Sequence, residues 1–214
     1  INQKEYKMKT LQQHIEEKLV LKNNTKIGGK IAPEYKSELK QIIKETLEND
    51  GPNADLNFID VSKIDDMSFL FDQLNPGKLD VSSWDVSNVE LMTGMFAHCE
   101  NFDADLTGWD VSKVKTFRWM FEDCKKFKGV GLKDWNVKNA DSLGRIFSGC
   151  EEFNEDISGW DISGVTNISG MFVKCKSFNH DLSNWKLSPK SAVNVNNMFE
   201  GCPLKEEYKP NFIK

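Results

Sequence analysis

The residues with the most chemistry to offer are five cysteines, Cys99, Cys124, Cys150, Cys175 and Cys202. Thiols can close disulfides, hold zinc or act as nucleophiles. A structural zinc site draws on paired ligands at C-x-x-C spacing, and no such pair occurs here. The intervals are 25, 26, 25 and 27 residues instead. One thiol per interval, among apolar neighbours, reads as a row of small buried hydrophobes. Disulfides between row neighbours stay sterically open. Neither a metal nor a cofactor is expected.

A second row follows the same period: Asp60, Asp85, Asp110, Asn136, Asp161 and Lys186. Carboxylates aligned on an exposed face could hold a hard cation such as calcium. Alternatively, each accepts hydrogen bonds from nearby backbone and serine groups and tightens a turn. Asn136 and Lys186 interrupt the row and favour the turn. The same holds for Asp105, Asp156 and Asp181. Catalysis finds little support. His14, His98 and His180 occupy unrelated positions, and neither G-x-S-x-G nor H-E-x-x-H appears. "KIGGK" (26–30) lacks the spacing of a phosphate-binding loop. No catalytic residue is expected, and the chain does not read as an enzyme.

In a repetitive chain, a site shows itself as a departure from the repeat. Trp119 falls outside the regular tryptophan ladder, and Arg118 and Arg145 are the only arginines. One slot of the repeat runs Phe69, Gly94, Trp119, Arg145, Gly170, Asn197. Its variability points outward. Trp119 and Arg145 then lie in adjacent copies, within reach of a cation–π contact. Trp and Arg are also the residues most enriched at binding hot spots. Arg118, Trp119 and Arg145 are the candidate ligand-binding residues; the alternative is a surface pair that shields apolar surface.

The elements that must position these residues repeat every 25 or 26 residues. The ladder is Trp84, Trp109, Trp135, Trp160 and Trp185, with a degenerate copy beginning at Ile59. Phe71, Phe96, Phe121, Phe147, Phe172 and Phe199 keep step, as do Phe102, Phe127, Phe153 and Phe178. Around each ladder Trp, apolar residues follow a period of two, as in Leu106/Trp109/Val111. That predicts a short strand with one buried face. After it, "SNVE" (87–90) has the form of a helix N-cap with a capping box. Val89, Met92, Met95, Phe96 and Cys99 then recur at helical spacing. Strand plus short helix, six times over, predicts an α/β leucine-rich-repeat-like solenoid with like side chains in internal columns.

The ends read differently. Residues 1–50 form an N-terminal helical segment or cap, 51–202 the repeats and 203–214 a C-terminal cap or tail. Tyr35, Leu39, Ile42, Ile43 and Leu47 mark a helix between Pro33 and Gly51. Met8, Leu11, Ile15 and Leu19 suggest an earlier one, with "KNNTKIGGK" (22–30) as the loop between. Leu204, Tyr208, Phe212 and Ile213 could fold over the last copy.

The charge balance, 28 basic against 33 acidic residues, argues against a nucleic-acid partner. No apolar run approaches a membrane span. The polar opening "INQKEYKMKT" does not read as a targeting segment. The oligomeric state is open.

Phrases such as "DISGWDISGVTNISGMF" (156–172) and "FNHDLSNW" (178–185) closely resemble the BspA-like leucine-rich repeats of mycoplasma surface lipoproteins and other bacterial surface proteins. The resemblance covers residues 55–202. It implies a right-handed solenoid, a place at the cell surface or outside the cell, and a non-enzymatic role in adhesion or in binding a host or neighbouring macromolecule. Two other readings remain: a cytoplasmic protein-binding scaffold, and a small enzyme or metal site in the unmatched N-terminal segment.

Overall fold

The protein is described by a computed structural model covering residues 26, 27, 29–187 and 192–213. The helix expected at Met8–Leu19 lies outside these residues. The segment read as a loop holds a small antiparallel hairpin, β1 (Lys26–Ile27) and β2 (Lys30–Ile31). The helix expected before the repeats is α1, Lys36–Asp50. It buries Leu39, Ile42 and Ile43, whereas Tyr35 is exposed. No side chain caps it at Tyr35; the Glu38 carboxylate reaches back to accept the Glu34 N–H at 3.0 Å. Gly51 closes its C-terminus at φ +87°, its N–H donating to the Leu47 carbonyl. β2 joins the helical segment to the first repeat, where Ile31 donates to Phe58 O and accepts from Asp60 N–H.

From here the structure departs from the expected fold. The α/β solenoid of one strand and one helix per copy is overturned, because residues 52–187 hold neither an α-helix nor a named strand. Their regular structure is turns, one three-residue 3₁₀ helix and isolated parallel bridges of one residue each. The backbone amides give the reason. Met92, Gly94, Phe96 and His98 donate to the carbonyls of Thr116, Arg118, Met120 and Glu122 in the next copy. Between them, Met95, Ala97 and Cys99 donate to Met92, Gly94 and Phe96, closing local turns. An α-helix needs successive N–H groups for carbonyls four residues back, but here every second one is spent on the neighbouring copy. A strand needs an extended chain, but here each step is bent by an i to i+3 turn. The bridges Asp66–Leu91–Thr116–Ser142–Asn167–Asn194 thus run through the segment whose spacing predicted a helix. The segment predicted as a strand is turned instead, with Trp109 N–H on Leu106 O.

Left-handed backbone reinforces this. Each copy carries two positive-φ positions four residues apart: the slot Phe69, Gly94, Trp119, Arg145, Gly170, Asn197, and the row Gln73, His98, Asp123, Gly149, Lys174, Gly201. Neither position is compatible with a continuing right-handed helix. The capping box is not formed either. Asp85, not Ser87, accepts the N–H in that turn, and the Glu90 carboxylate pairs with Lys115 of the next copy.

The side-chain columns are present. Trp84 stacks on Trp109 at 6.3 Å between ring centroids and 9° between planes, and Trp109 on Trp135 at 6.4 Å and 4°. Phe71, Phe96, Phe121, Phe147, Phe172 and Phe199 form a continuous column with spacings of 4.7–6.0 Å. Each ring pair adds about 0.5–1.5 kcal/mol beyond burial. The ladder indoles satisfy their N–H groups on the preceding copy, Trp84 on Leu56 O and Trp160 on Leu132 O. Trp135 alone among the described residues leaves its buried Nε1 without a partner. Its copy carries the one-residue insertion in "KGVGLK" (128–133), which the chain absorbs in a 3₁₀ turn at Leu132–Asp134. At the far end Leu204 is buried, and Leu182 donates to Tyr208 O, fastening the C-terminal segment onto the last full copy.

Candidate functional site

The acidic row forms turns. Asp60, Asp85, Asp110 and Asp161 each accept the backbone N–H two residues ahead at 3.0 Å, and Asn136 does so at 3.3 Å. Asp85, Asp110, Asn136, Asp161 and Lys186 are exposed, but one carboxylate oxygen of each Asp is committed to its own backbone. Asp105, Asp156 and Asp181 repeat the device on Thr107, Ser158 and Ser183. Among the described residues, no group of three His, Cys, Asp or Glu side chains is placed to hold a metal ion.

The hydrogen bonds from Ser87, Ser112 and Ser163 hold the carboxyls of Asp85, Asp110 and Asp161 below the usual carboxylate range. A depressed folded-state pKa gives stability that is present above the unfolded value, about 3.9, and lost as pH falls through the folded one. The melting temperature should therefore hold between pH 7 and 5 and fall steadily below about pH 4. Asp110→Asn keeps the acceptor, as Asn136 does naturally, and should soften that fall. A melting profile with the same acid limb in the variant would remove these turns as its cause.

The cysteine row is structural. All five thiols are free; four are buried and Cys202 is partly so. Cys124, Cys150 and Cys175 lie 2.9–3.0 Å from the carbonyls of Phe96, Phe121 and Phe147 in the preceding copies. Burial pushes Cys99 up to about 12 and the next three well above the ordinary thiol value. Thiolate chemistry is thereby suppressed.

Arg118, Trp119 and Arg145 lie together, but not in the expected pairing. The guanidinium over the Trp119 ring is that of Arg118, 3.8 Å from the centroid. Arg145 turns instead to Glu122, with Nη1 3.0 Å from Oε1. The geometry also brings in residues that the sequence reading did not single out. Phe69, Asp72, Ala97, His98, Trp119 and Glu122 line a cavity of about 370 Å³. Phe69 and Trp119 occupy the same slot two copies apart, with Gly94 between them. A Cβ on Gly94 would stand 2.4 Å from Phe69 Cε1, so the ring lies against the bare glycine backbone. Ala97 is buried. His98 Nδ1 lies 3.2 Å from Asp123 Oδ2, and the Glu122 side chain is only 15 % exposed.

The family model described as "Mycoplasma protein of unknown function, DUF285" matches residues 38–142 and 129–211. The chain belongs to this family. No curated protein and no solved structure matches. The two DUF285 matches together run from α1 through every repeat to the C-terminal segment, and both Phe69 and Trp119 fall inside the first. No helix of the described DUF285 residues is long and apolar enough to cross a membrane.

Proposed function

We propose that this chain is a non-enzymatic protein-interaction module that binds a macromolecular partner through the face carrying Phe69, Arg118, Trp119 and Arg145. The observation that carries the reading is the backbone of one slot. Gly94 and Gly170 hold it at φ +58° and +61°, where glycine is unstrained. Phe69, Trp119 and Arg145 hold it at +54°, +61° and +55°. A left-handed conformation costs a side-chain-bearing residue about 1–2 kcal/mol. The fold accepts glycine there, so the large side chains are kept at a cost to folding. Strained residues of this kind cluster at functional sites.

The resemblance of residues 55–202 to BspA-like surface repeats supports a place on a bacterial surface and a role in adhesion or in binding a host or neighbouring macromolecule. Membership of DUF285, a mycoplasma family, accords with that source. Most of the thiols are buried and the Asp row is committed to its own turns, so neither competes with the aromatic and arginine face as a binding surface.

The test uses the intact chain as bait against extracellular host proteins, beside Trp119→Gly and Arg145→Gly. Both variants should lose capture while their melting temperatures stay within about 3 °C of the parent, because relief of strain offsets lost contact. Capture unchanged in both variants, or a fall of 10 °C in either, would assign these side chains to structure. Surface labelling of intact source cells that leaves the chain unmodified would remove the surface placement.

A further inference from the structure

We propose that the cavity between Phe69 and Trp119 receives an arginine side chain of the partner protein. The inference rests on the reading of the chain as an interaction module and names the chemistry of that same face. Phe69, Trp119, the His98 imidazole, Ala97 and two carboxylates line the cavity; Arg118 over Trp119, Arg145 on Glu122 and Lys40 on Phe69 O stand beside it. Aromatic faces attract cations through their quadrupole. Glu122 already engages Arg145, whereas the ion pairs among the described residues do not include Asp72. An anionic ligand would meet the Asp72 carboxylate. A neutral apolar ligand would bury Asp72 without compensation, which is costly. A cation that donates hydrogen bonds satisfies walls and carboxylate together.

Shape and precedent select guanidinium over ammonium. A lysine ammonium is compact and strongly hydrated, while a guanidinium is planar, weakly hydrated and able both to stack on a ring and to fork onto a carboxylate. The chain performs both operations itself. Arg118 lies over Trp119 at 3.8 Å, and Arg145 reaches Glu122 at 3.0 Å. Gly94 gives Phe69 its place as one wall. The positive φ of both Phe69 and Trp119 places the strained side chains on either side of the cavity. Their retention at that slot is explained if each contributes a wall.

The experiment titrates the intact chain with the capped tripeptide acetyl-Gly-Arg-Gly-amide and follows tryptophan emission. The ladder tryptophans are only 4–5 % exposed, so the half-buried Trp119 reports the cavity. A saturable change in the millimolar range is expected, with binding at least about tenfold weaker for the matching citrulline peptide, which lacks the charge. Asp72→Asn and Phe69→Gly retain the reporter and should each weaken binding by a similar factor at unchanged melting temperature. Equal responses to arginine and citrulline, or full binding by Asp72→Asn, overturn the proposal. So does equal or tighter binding of the lysine peptide or of tetramethylammonium, which would leave no preference for guanidinium. The two readings fail separately. If the parent chain captures a partner and that capture survives both Asp72→Asn and excess arginine peptide, the cavity assignment falls and the interaction module stands. If the parent captures nothing, the module reading falls.

Discussion

Phe121→Ala is expected to cost the fold about 3–5 kcal/mol, the range for removing a buried aromatic ring from a packed core. Phe121 is fully buried at the crossing of two columns. Its ring lies 5.7 Å from Phe96 and 6.0 Å from Phe147 along its own column. It also lies 4.2 Å from Phe127 and 6.3 Å from Trp135 in others. Its backbone N–H bonds Ile146 O and its carbonyl lies 2.9 Å from the Cys150 thiol, so the following copy holds this backbone at both its N–H and its carbonyl and the surroundings cannot collapse freely into the space. In a chain of this length the loss corresponds to a drop of roughly 10 °C in melting temperature. Phe69→Ala is the control. Phe69 belongs to the exposed slot and is 44 % exposed, so its loss should cost under about 1 kcal/mol. Equal effects from the two substitutions would mean that the Phe column is not the core.

That contrast also marks what the sequence discloses. The columns are legible because burial selects residue type: only interior positions hold Trp, Phe and Cys at one period through five or six copies. The path of the backbone is not legible, because apolar side chains at three- and four-residue spacing suit two different chains. One is a helix. The other is a run of i to i+3 turns whose alternate amides face the next copy, and this second chain is the one formed. Ser87 and Glu90 have the form of a capping box, yet Glu90 finds Lys115 one period away. A signal of the left-handed slot was present in Gly94 and Gly170, but Phe69, Trp119 and Arg145 in the same register concealed it. Glycine marks such a position only when side chains avoid it.

The candidate site was legible to the same degree. Arg118, Trp119 and Arg145 stood out as departures from the period, and the structure brings them into one neighbourhood. Their pairing was not readable, since the choice between Arg118 and Arg145 for the Trp119 ring depends on rotamers, and Glu122 competes for Arg145. Phe69 and Asp72 were missed because they lie 50 and 47 residues from Trp119. The one available clue was the order aromatic, glycine, aromatic in successive copies of the slot. It becomes a cavity only once neighbouring copies are known to stand side by side.

Gly131→Ala should be among the most damaging single-methyl changes in this chain, and Gly108→Ala clearly milder. Both glycines have left-handed backbones, at φ +93° and +85°, so the conformational penalty of a Cβ is shared, about 1–2 kcal/mol. Their surroundings differ. A Cβ at 108 meets nothing within 4 Å. A Cβ at 131 would stand 2.3 Å from Thr107 N and 2.6 Å from Leu106 C, which are backbone atoms of the preceding copy with no rotamer to yield. That backbone is fixed in turn, since Leu106 donates to Val130 O and Trp109 to Leu106 O. The new methyl must push two copies apart beside Trp135, whose Nε1 already lacks a partner. Overpacking typically adds about 1–3 kcal/mol, so Gly131→Ala should cost roughly 2–5 kcal/mol in all and Gly108→Ala no more than about 2 kcal/mol. Denaturant unfolding of the two variants measures the difference directly. Equal losses would mean that the inserted residue of the Trp135 copy does not bring Gly131 against Leu106 and Thr107.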